Sequence, residues 1–420
     1  MTVEDCSVAE AASAGDNPVR GYAGYAPDET ALVAAKTAHE RLGTLAAEAS
    51  FHKKWWGFEI RLNQEAVDTL QSLRGVIADV VGEFLPTGLA QVIAAVALAQ
   101  DMVIKAVSGG YGCKLVSPWF SPTMLIPVPM TPIDDPSLWW TVFGPKDAWN
   151  EDQRFLAHYT ADNPALGEIG GKLVCMHRGN GDTRLWAATY DPDKGWSEDR
   201  MLPAHASNSG PALATFRNKL YCVHRGRADN DLWWTTSSDG INWSQDQKFP
   251  GHRTDDGPAL AVFRDRLYCV HKGNGNNDLW WTTSTDGINW SQDQKLPGHR
   301  TDSNPALAVF NDRLYCVHRG NGDSNLWWTR FDGTSWSPDQ KLPGHASKDG
   351  PALAVYKNQL YCVHRGGSDQ HLWWTRFNGT SWSTDTKLPG HASNQGPALI
   401  TYRDKNGSED QLFCIHRGSK

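Results

Sequence analysis

The chain has 420 residues, of which 40% are hydrophobic and 21% charged, a composition typical of a soluble protein with room for more than one domain. Forty basic and 47 acidic residues give a net charge of -7, and the basic residues are spread along the chain, which argues against nucleic acid as a partner. The first residues, MTVEDCSVAEAAS, contain neither the basic nor the apolar stretch of a secretory signal. We therefore expect cytoplasmic synthesis, with any export by a non-classical route.

The first part of the chain predicts a mainly helical N-terminal domain, residues 1–116. Apolar residues recur with helical spacing over residues 29–50 and again over residues 63–85. The longest uncharged run, residues 84–100, has 17 residues, whereas a bilayer span needs about 20 apolar residues. We interpret this run as a buried helix. The alternative is membrane contact through residues 84–107 after a conformational change.

A proline-rich segment and then a long repeat follow. Six prolines fall within residues 117–137, which excludes a regular helix and predicts an extended connector. Beyond it, the motif PAL recurs in steps of 47, 47, 47, 46 and 46 residues. Each unit contains four short runs of strand type separated by Gly, Asn and Asp, which predicts a four-stranded β-propeller blade. The motif begins at Pro164, Pro211, Pro258, Pro305, Pro351 and Pro397.

The two ends of the repeat region predict how the propeller closes. The last unit stops after its second strand, LFCIHRG, and residues 138–163 supply the missing third and fourth strands upstream. We therefore predict an all-β, six-bladed β-propeller over residues 138–420, closed by a blade that both ends of the segment share. Such closure removes the exposed sheet edges that favour aggregation.

Each blade repeats a cluster of aromatic and basic side chains. The connection from the second to the third strand, HRGNGDSN in one unit, and the connection to the next blade, PGHASKDG, emerge at the same face and predict a rim rich in hydrogen-bond donors. The two rings of the LWWT motif point to opposite faces of a blade. Aromatic faces beside cations and amides suit neutral sugars. The candidate sugar-binding residues are Trp139, Trp140, His224, Arg225, Trp233, Trp234, His252, His271, Lys272, Trp280, Trp281, His299, His318, Arg319, Trp327, Trp328, His345, His364, Arg365, Trp373, Trp374, His391, His416 and Arg417.

Structural roles are the alternative for these residues, since Trp also packs blades together and His also bonds neighbouring strands. The Cys-x-His spacing places a thiol and an imidazole on one strand face, but two ligands are too few for a closed zinc site. We predict no metal and no cofactor. We also predict no disulfides among the six repeat cysteines, because equivalent cysteines of rotated repeats lie too far apart to pair, whereas the redox state of Cys6 and Cys113 is left open. The turns SSDGINW and STDGINW are expected to be structural.

The repeat with LYCVHRG, LWWT and DGxxWS resembles β-propeller lectins of the tachylectin and tectonin type and six-bladed fucose-binding lectins. The resemblance covers about two thirds of the chain. It implies recognition of sugars in several pockets around one rim. Its SxDGxxW turn also resembles the Asp-box turn of sialidases, one residue shorter. The first blade departs from the repeat, because Ala187 and Val174 replace the second Trp and the Tyr, and no motif in residues 1–137 resembles a known family.

These patterns favour a multivalent carbohydrate-binding protein whose partners are glycans or glycoconjugates. The N-terminal domain would add membrane attachment, homo-oligomerisation or a toxin-like activity. We do not expect an enzyme, because a glycosidase needs a unique pair of carboxylates, whereas Asp246, Asp293, Asp339 and Asp385 recur in most units. A sialidase-like propeller glycosidase and a protein-binding scaffold are the two alternatives.

Overall fold

The structure is a computed structural model, in which the chain divides into two units, Met1–Pro132 and Ile133–Lys420. The residues that it describes are 33–37, 48–53, 57–62, 67, 77–78, 85, 87–100, 104, 113–118, 125–129, 135–144, 147–403 and 409–419.

The N-terminal unit contains a five-stranded antiparallel sheet in the order β1-β2-β3-β4-β5. Its strands are β1 (Val33–Thr37), β2 (Glu48–Lys53), β3 (Gly57–Leu62), β4 (Cys113–Pro118) and β5 (Ile126–Pro129). The prediction of a mainly helical domain is therefore wrong for the described residues. Residues 29–50, expected to be helical, contain β1 and the start of β2, because pairing within the sheet overrides a local helical pattern. Most of the second predicted helix, residues 63–85, lies outside the described residues.

One helix, α1 (Thr87–Ala99), belongs to this unit. Its buried residues Ala90, Ile93, Ala94 and Ala97 recur at helical spacing and belong to the same core as β3. This burial confirms the interpretation of the uncharged run as a buried helix. Within the described part of the chain, no helix has the length and apolar character needed to cross a membrane. Membrane contact through residues 84–107 stays a prediction.

The proline-rich segment 117–137 is more than a connector. Pro118 ends β4, while Pro127 and Pro129 lie in β5, which pairs with β4. Since β5 is the last strand in the order of its sheet, its prolines occupy an edge, the position at which a sheet tolerates proline.

The second unit is a six-bladed β-propeller, as predicted. Blade 1 contains β8 (Ala165–Ile169), β9 (Lys172–Arg178), β10 (Arg184–Asp191), β11 (Gly195–Trp196) and β12 (Arg200–Ala206); blade 2 contains β13 (Ala212–Phe216), β14 (Lys219–Arg225), β15 (Asp231–Ser237) and β16 (Gln247–Arg253); blade 3 contains β17 (Ala259–Phe263), β18 (Arg266–Lys272), β19 (Asp278–Ser284) and β20 (Gln294–Arg300). Blade 4 contains β21 (Ala306–Phe310), β22 (Arg313–Arg319), β23 (Asn325–Phe331) and β24 (Gln340–Ala346), and blade 5 contains β25 (Ala352–Tyr356), β26 (Gln359–Arg365), β27 (His371–Phe377) and β28 (Thr386–Ala392).

Blade 6 closes the ring with strands from both ends of the unit. Its order is β29 (Ala398–Tyr402), β30 (Gln411–Arg417), β6 (Ser137–Phe143) and β7 (Gln153–Tyr159). The inner strand β29 contacts the inner strand β8 of blade 1, so the predicted shared blade is confirmed. Apolar residues from adjacent blades form one core cluster at each interface. The six repeat cysteines are buried free thiols within these blades.

Candidate functional site

The first histidine of each repeat lies inside its blade. His224 is 1% exposed, and its Nε2 donates a hydrogen bond to Asp246 at 3.1 Å. The remaining blades contain the same pair, as His177–Asp199, His271–Asp293, His318–Asp339, His364–Asp385 and His416–Asp152. The expectation that these imidazoles reach the rim is wrong, because the carboxylate that binds each one lies between the third and fourth strands. The recurring aspartates therefore have a structural partner.

The second histidine of each repeat joins two blades. The Nδ1 of His252 lies 2.8 Å from the carbonyl oxygen of Pro250, and its Nε2 lies 2.8 Å from that of Ser291 in blade 3. Gly251 before it has a φ of 78°, a left-handed conformation that turns the histidine towards the next blade. His299 and His345 make the equivalent contacts, and His391 is buried at the same position. These side chains are also not at the rim.

The basic residue after the first histidine points towards the propeller axis. Arg225 donates through Nη1 to the carbonyl oxygen of Asp255 at 2.8 Å, and Arg365 does the same to Asn394 at 2.9 Å. Both acceptors lie in the segment that leads to the next inner strand. The equivalent residues are Arg178, Lys272, Arg319 and Arg417. Arg225 also donates through Nε and Nη2 to the side chain of Asn230 in its own blade, so it bridges that loop and the segment that leads to the next inner strand.

The first tryptophan of each pair packs on the glycine of the HRG motif. Trp233 is half-buried, and a methyl group added at Gly226 would lie 2.7 Å from its Nε1. The Nε1 donates to the carboxylate of Asp229 at 3.2 Å, and the ammonium of Lys248 lies 5.6 Å from the ring centroid. A cation–π contact thus covers the ring. The equivalent tryptophans are Trp139, Trp280, Trp327 and Trp373.

The second tryptophan of each pair lies between two blades. The ring of Trp234 lies 5.9 Å from that of Tyr221. In the other blades Trp281, Trp328 and Trp374 stack on a tyrosine, and Trp140 stacks on Phe413. Two of these rings, Trp140 and Trp234, line the spaces between blades described next.

A groove of about 450 Å³ lies between blades 2 and 3. Its aromatic residues are Tyr221 and Trp234, and its polar residues include Lys219 and Gln247 of blade 2 and Asp286 of blade 3. These residues surround the turns between the first and second strands and between the third and fourth strands. The predicted rim, formed by the connections from the second to the third strand and to the next blade, is at the other end of the blades. The groove therefore lies away from the rim, and sugar binding at the rim stays a prediction.

The groove varies around the propeller. Between blades 6 and 1 a cavity of about 160 Å³ is lined by Trp140, Phe413 and Tyr190. In blade 1, Val174 replaces the tyrosine and contacts the turn of blade 2, since a methyl group added at Gly240 would lie 2.8 Å from it. Blade 1 therefore lacks the aromatic pair, as its sequence indicated.

Sequence reasoning missed a ring of polar residues around the propeller axis. Asn163 and Asn304 come from opposite blades, and the side-chain amide of Asn163 donates to that of Asn304 at 2.9 Å. Three aspartates lie beside them. Burial and the charges of Asp256 and Asp349 raise the pKa of Asp162 to about 7. Burial and the charge of Asp349 raise the pKa of Asp256 to about 6, and burial also raises the pKa of Asp349.

Other candidate chemistry is limited in the residues that the structure describes. Among them, no group of three or more His, Cys, Asp or Glu residues is arranged to hold a metal ion. Burial raises the pKa of the repeat thiols, including Cys222 and Cys316, so they are held in the unreactive protonated form. The turn predicted to be structural is so, because Asp239 accepts hydrogen bonds from the backbone of Ile241 and Asn242.

No family model matches the chain, and no curated protein matches it. Several solved structures resemble it. A mutant of AofleA from Arthrobotrys oligospora has a TM-score of 0.49 and 12% identity, and the match covers 60% of this chain and 79% of that one. A variant of the Aleuria aurantia lectin in complex with Fucα1-6GlcNAc has a TM-score of 0.43 and 11% identity, and the match covers 60% of this chain and 94% of the lectin. The Trypanosoma rangeli sialidase in complex with the inhibitor DANA has a TM-score of 0.44 and 12% identity, and the match covers 63% of this chain and 56% of the sialidase. At these identities the likeness concerns the fold alone.

Proposed function

We propose that this protein is a multivalent carbohydrate-binding protein, a lectin, whose binding sites are the grooves between blades. The groove between blades 2 and 3 is the observation that carries the proposal. Its volume of about 450 Å³ lies in the range of small-ligand sites. Trp234 offers an aromatic face to the apolar side of a sugar ring.

The polar residues of this groove suit the hydroxyl groups of a sugar. Lys219 can donate hydrogen bonds and the side-chain amide of Gln247 can both donate and accept them, whereas the carboxylate of Asp286 already accepts hydrogen bonds from Ile288 and Asn289 of its own turn. Such open sites are weak one by one. Blades 2 to 6 each repeat the aromatic pair, so a surface that presents many copies of one glycan would be bound with avidity.

A glycan array probed with the whole chain tests the proposal first. We expect reproducible hits that the free sugar competes away. Failure to bind any glycan would contradict the proposal, and capture of a protein partner that free sugar leaves unaffected would favour the scaffold alternative. Hydrolysis of an aryl glycoside, abolished by Asp162→Asn, would instead identify a glycosidase.

Single substitutions then locate the site. Gln247→Ala and Lys219→Ala are expected to remove the groove between blades 2 and 3 from the stoichiometry that calorimetry measures with the free sugar. Arg200→Ala is the matched control, because Arg200 pairs with Ala187 as Gln247 pairs with Trp234, in a blade without the aromatic pair. Unchanged stoichiometry in both groove variants would place the sugar elsewhere.

The N-terminal unit is proposed to add a second, toxin-like activity, permeabilisation of membranes that carry the bound glycan. Release of a trapped dye from liposomes containing that glycan, compared with liposomes lacking it, tests this activity. Complete retention of the dye by both kinds of liposome would count against it.

A further inference from the structure

Six residues at one position of the repeat surround the propeller axis, and we call them the axial ring. Aspartates occupy this position in alternate blades, and short or uncharged polar residues occupy it in the others. The axial ring consists of Asp162, Ser209, Asp256, Ser303, Asp349 and Gln395. Asp349 accepts a hydrogen bond at 3.1 Å from Ser303 of the preceding blade, so neighbouring members of the ring touch.

Closely packed backbone lies immediately behind the ring. Besides its bond to Asn304, the side chain of Asn163 accepts a hydrogen bond from the backbone N–H of Gly396 at 2.9 Å. A methyl group at Gly210 would lie 2.6 Å from the carbonyl oxygen of Asn163, and one at Gly257 would lie 2.8 Å from that of Gly210. This layer forms the floor of the ring. Water still reaches it, because the side chain of Asp162 is 21% exposed.

Positive charge exceeds negative charge around the ring. The six basic residues that point towards the axis outnumber the three aspartates of the ring. They are Arg178, Arg225, Lys272, Arg319, Arg365 and Arg417. The Nη1 of Arg178 lies 3.9 Å from the Oδ2 of Asp162, and the Nη1 of Arg365 lies 3.9 Å from the Oδ2 of Asp349. Both distances are too long for a direct hydrogen bond. These two aspartates therefore form ion pairs with the basic residues without a direct hydrogen bond, and the remaining positive charge is in excess.

Buried donors in this region lack partners. Ser209 is 2% exposed, and its Oγ has no hydrogen-bond partner within the described part of the chain. Ser209 occupies the position equivalent to Ser303, whose Oγ donates a hydrogen bond to Asp349, the next member of the ring. The Nε atoms of Arg178 and Arg319 are likewise buried without a partner there. Leaving a buried donor unsatisfied is unfavourable, so a ligand that accepts hydrogen bonds at this place would stabilise the protein.

We propose that the axial ring is a second binding site, separate from the grooves, which takes one small oxyanion together with protons. The shared chemistry is a compact group of negatively charged oxygens, whether a free inorganic anion or the carboxylate of a larger solute. Hydroxyl and guanidinium groups donate hydrogen bonds to it. A protonated aspartate of the ring donates as well, whereas an ionised one repels it.

The other charged groups near the ring, two carboxylates and one lysine, reduce the excess of positive charge but do not reverse it. Asp255 accepts hydrogen bonds from Asn230 and from the backbone of Gly275, and Asp302 is bound in the same way by Asn277 and Gly322. These two carboxylates are thus held by the loops between the second and third strands. Lys348 adds one further positive charge next to Asp349. Because burial and mutual repulsion raise the pKa of Asp162 to about 7 and that of Asp256 to about 6, acidification from about pH 8 to about pH 5.5 protonates both.

Calorimetric titration of the full chain with sodium sulfate, against sodium chloride at equal ionic strength, tests the proposal. Sulfate keeps its charge over this pH range, so any pH dependence belongs to the protein. We expect one sulfate per chain, bound at least about tenfold more tightly at about pH 5.5 than at about pH 8. Ser209→Ala should weaken binding at both values. Asp162→Asn should tighten binding at the higher pH and reduce the ratio between the two affinities.

The matched control is Asp265→Asn, because this carboxylate is 81% exposed and lies at a turn. It should bind sulfate as the unaltered protein does. Equal responses to sulfate and chloride at both pH values would overturn the proposal, as would an unchanged affinity ratio in a folded Asp162→Asn variant. Glucuronate that displaces sulfate and binds more tightly would identify a sugar carboxylate as the ligand, and phosphate doing so would identify an inorganic anion. Sulfate binding that persists in Gln247→Ala separates this site from the grooves.

Discussion

Replacing Asp162 by asparagine should stabilise the protein most above about pH 7, and the gain should shrink as the pH falls towards 3.8. Burial and the charges of Asp256 and Asp349 raise the pKa of this carboxyl to about 7 from its ordinary value of 3.8. Between these two values the folded protein holds more protons than the unfolded chain does. Stability therefore falls as the pH rises through this window, and the full cost of ionising Asp162 is present above about pH 7.

The size of the effect follows from the pKa shift. A shift of about three units corresponds to about 4 kcal/mol, since each unit is worth about 1.4 kcal/mol. The side chain of Asp162 is 21% exposed, so water screens part of this cost, and a gain of about 2–4 kcal/mol at about pH 8 is expected. Asparagine preserves the acceptor for the backbone N–H of Asn163, which lies 2.8 Å from Oδ1.

Urea unfolding of the full chain, followed by tryptophan fluorescence at about pH 8 and about pH 5, measures the difference in free energy of unfolding. Asp256→Asn should behave in the same way, except that its gain in stability should reach its full size above about pH 6. Asp265→Asn at an exposed turn is the control and should show no such dependence. An equal change in stability at both pH values for Asp162→Asn would show that ionisation of this carboxyl carries no cost in the folded protein.

Three further predictions concern the repeated core. Gly320→Ala should lower the free energy of unfolding by about 1–3 kcal/mol, because the new methyl group would lie 2.7 Å from the Nε1 of Trp327. Thermal unfolding measures this loss. The control is Gly144→Ala, whose new methyl group would meet no atom within 4 Å. Trp328→Ala should lower the free energy of unfolding by about 3–5 kcal/mol, since this residue is 8% exposed and packs in the interface of blades 4 and 5. A loss below about 1 kcal/mol in urea unfolding would contradict that packing. The thiol of Cys316 and its five equivalents should resist a thiol reagent in the folded protein and react in urea; rapid reaction of the folded protein would show that they are accessible.

The propeller could be predicted from the sequence because its period is a property of the chain alone. Four strands per unit and an incomplete last unit predict the six blades and their closure without any distance being known. The N-terminal sheet could not be found in this way. There β3 pairs with β4 across about fifty intervening residues, and no local pattern encodes a partner so far along the chain.

The candidate site was only partly predictable, since a side chain's chemistry does not tell where it is aimed. Of each tryptophan pair, the sequence places the two rings on opposite faces, and the structure adds that Trp234 lines a groove while Trp233 is covered by Lys248. The histidines were misplaced for another reason. The partner of His224 is Asp246 on a later segment, and the orientation of His252 depends on the left-handed conformation of Gly251.

The axial ring was missed because a repeat consensus emphasises what the blades share. Groove residues such as Trp234 meet the neighbouring blade, so each blade can repeat them. Residues at the axis meet their own equivalents instead, and six aspartates there would place six like charges in one small space. The alternation that includes Asp162, Ser209 and Asp256 avoids this repulsion. Positions that vary between repeats while facing one another therefore indicate a single shared site, whereas positions that repeat at the perimeter indicate several equal ones.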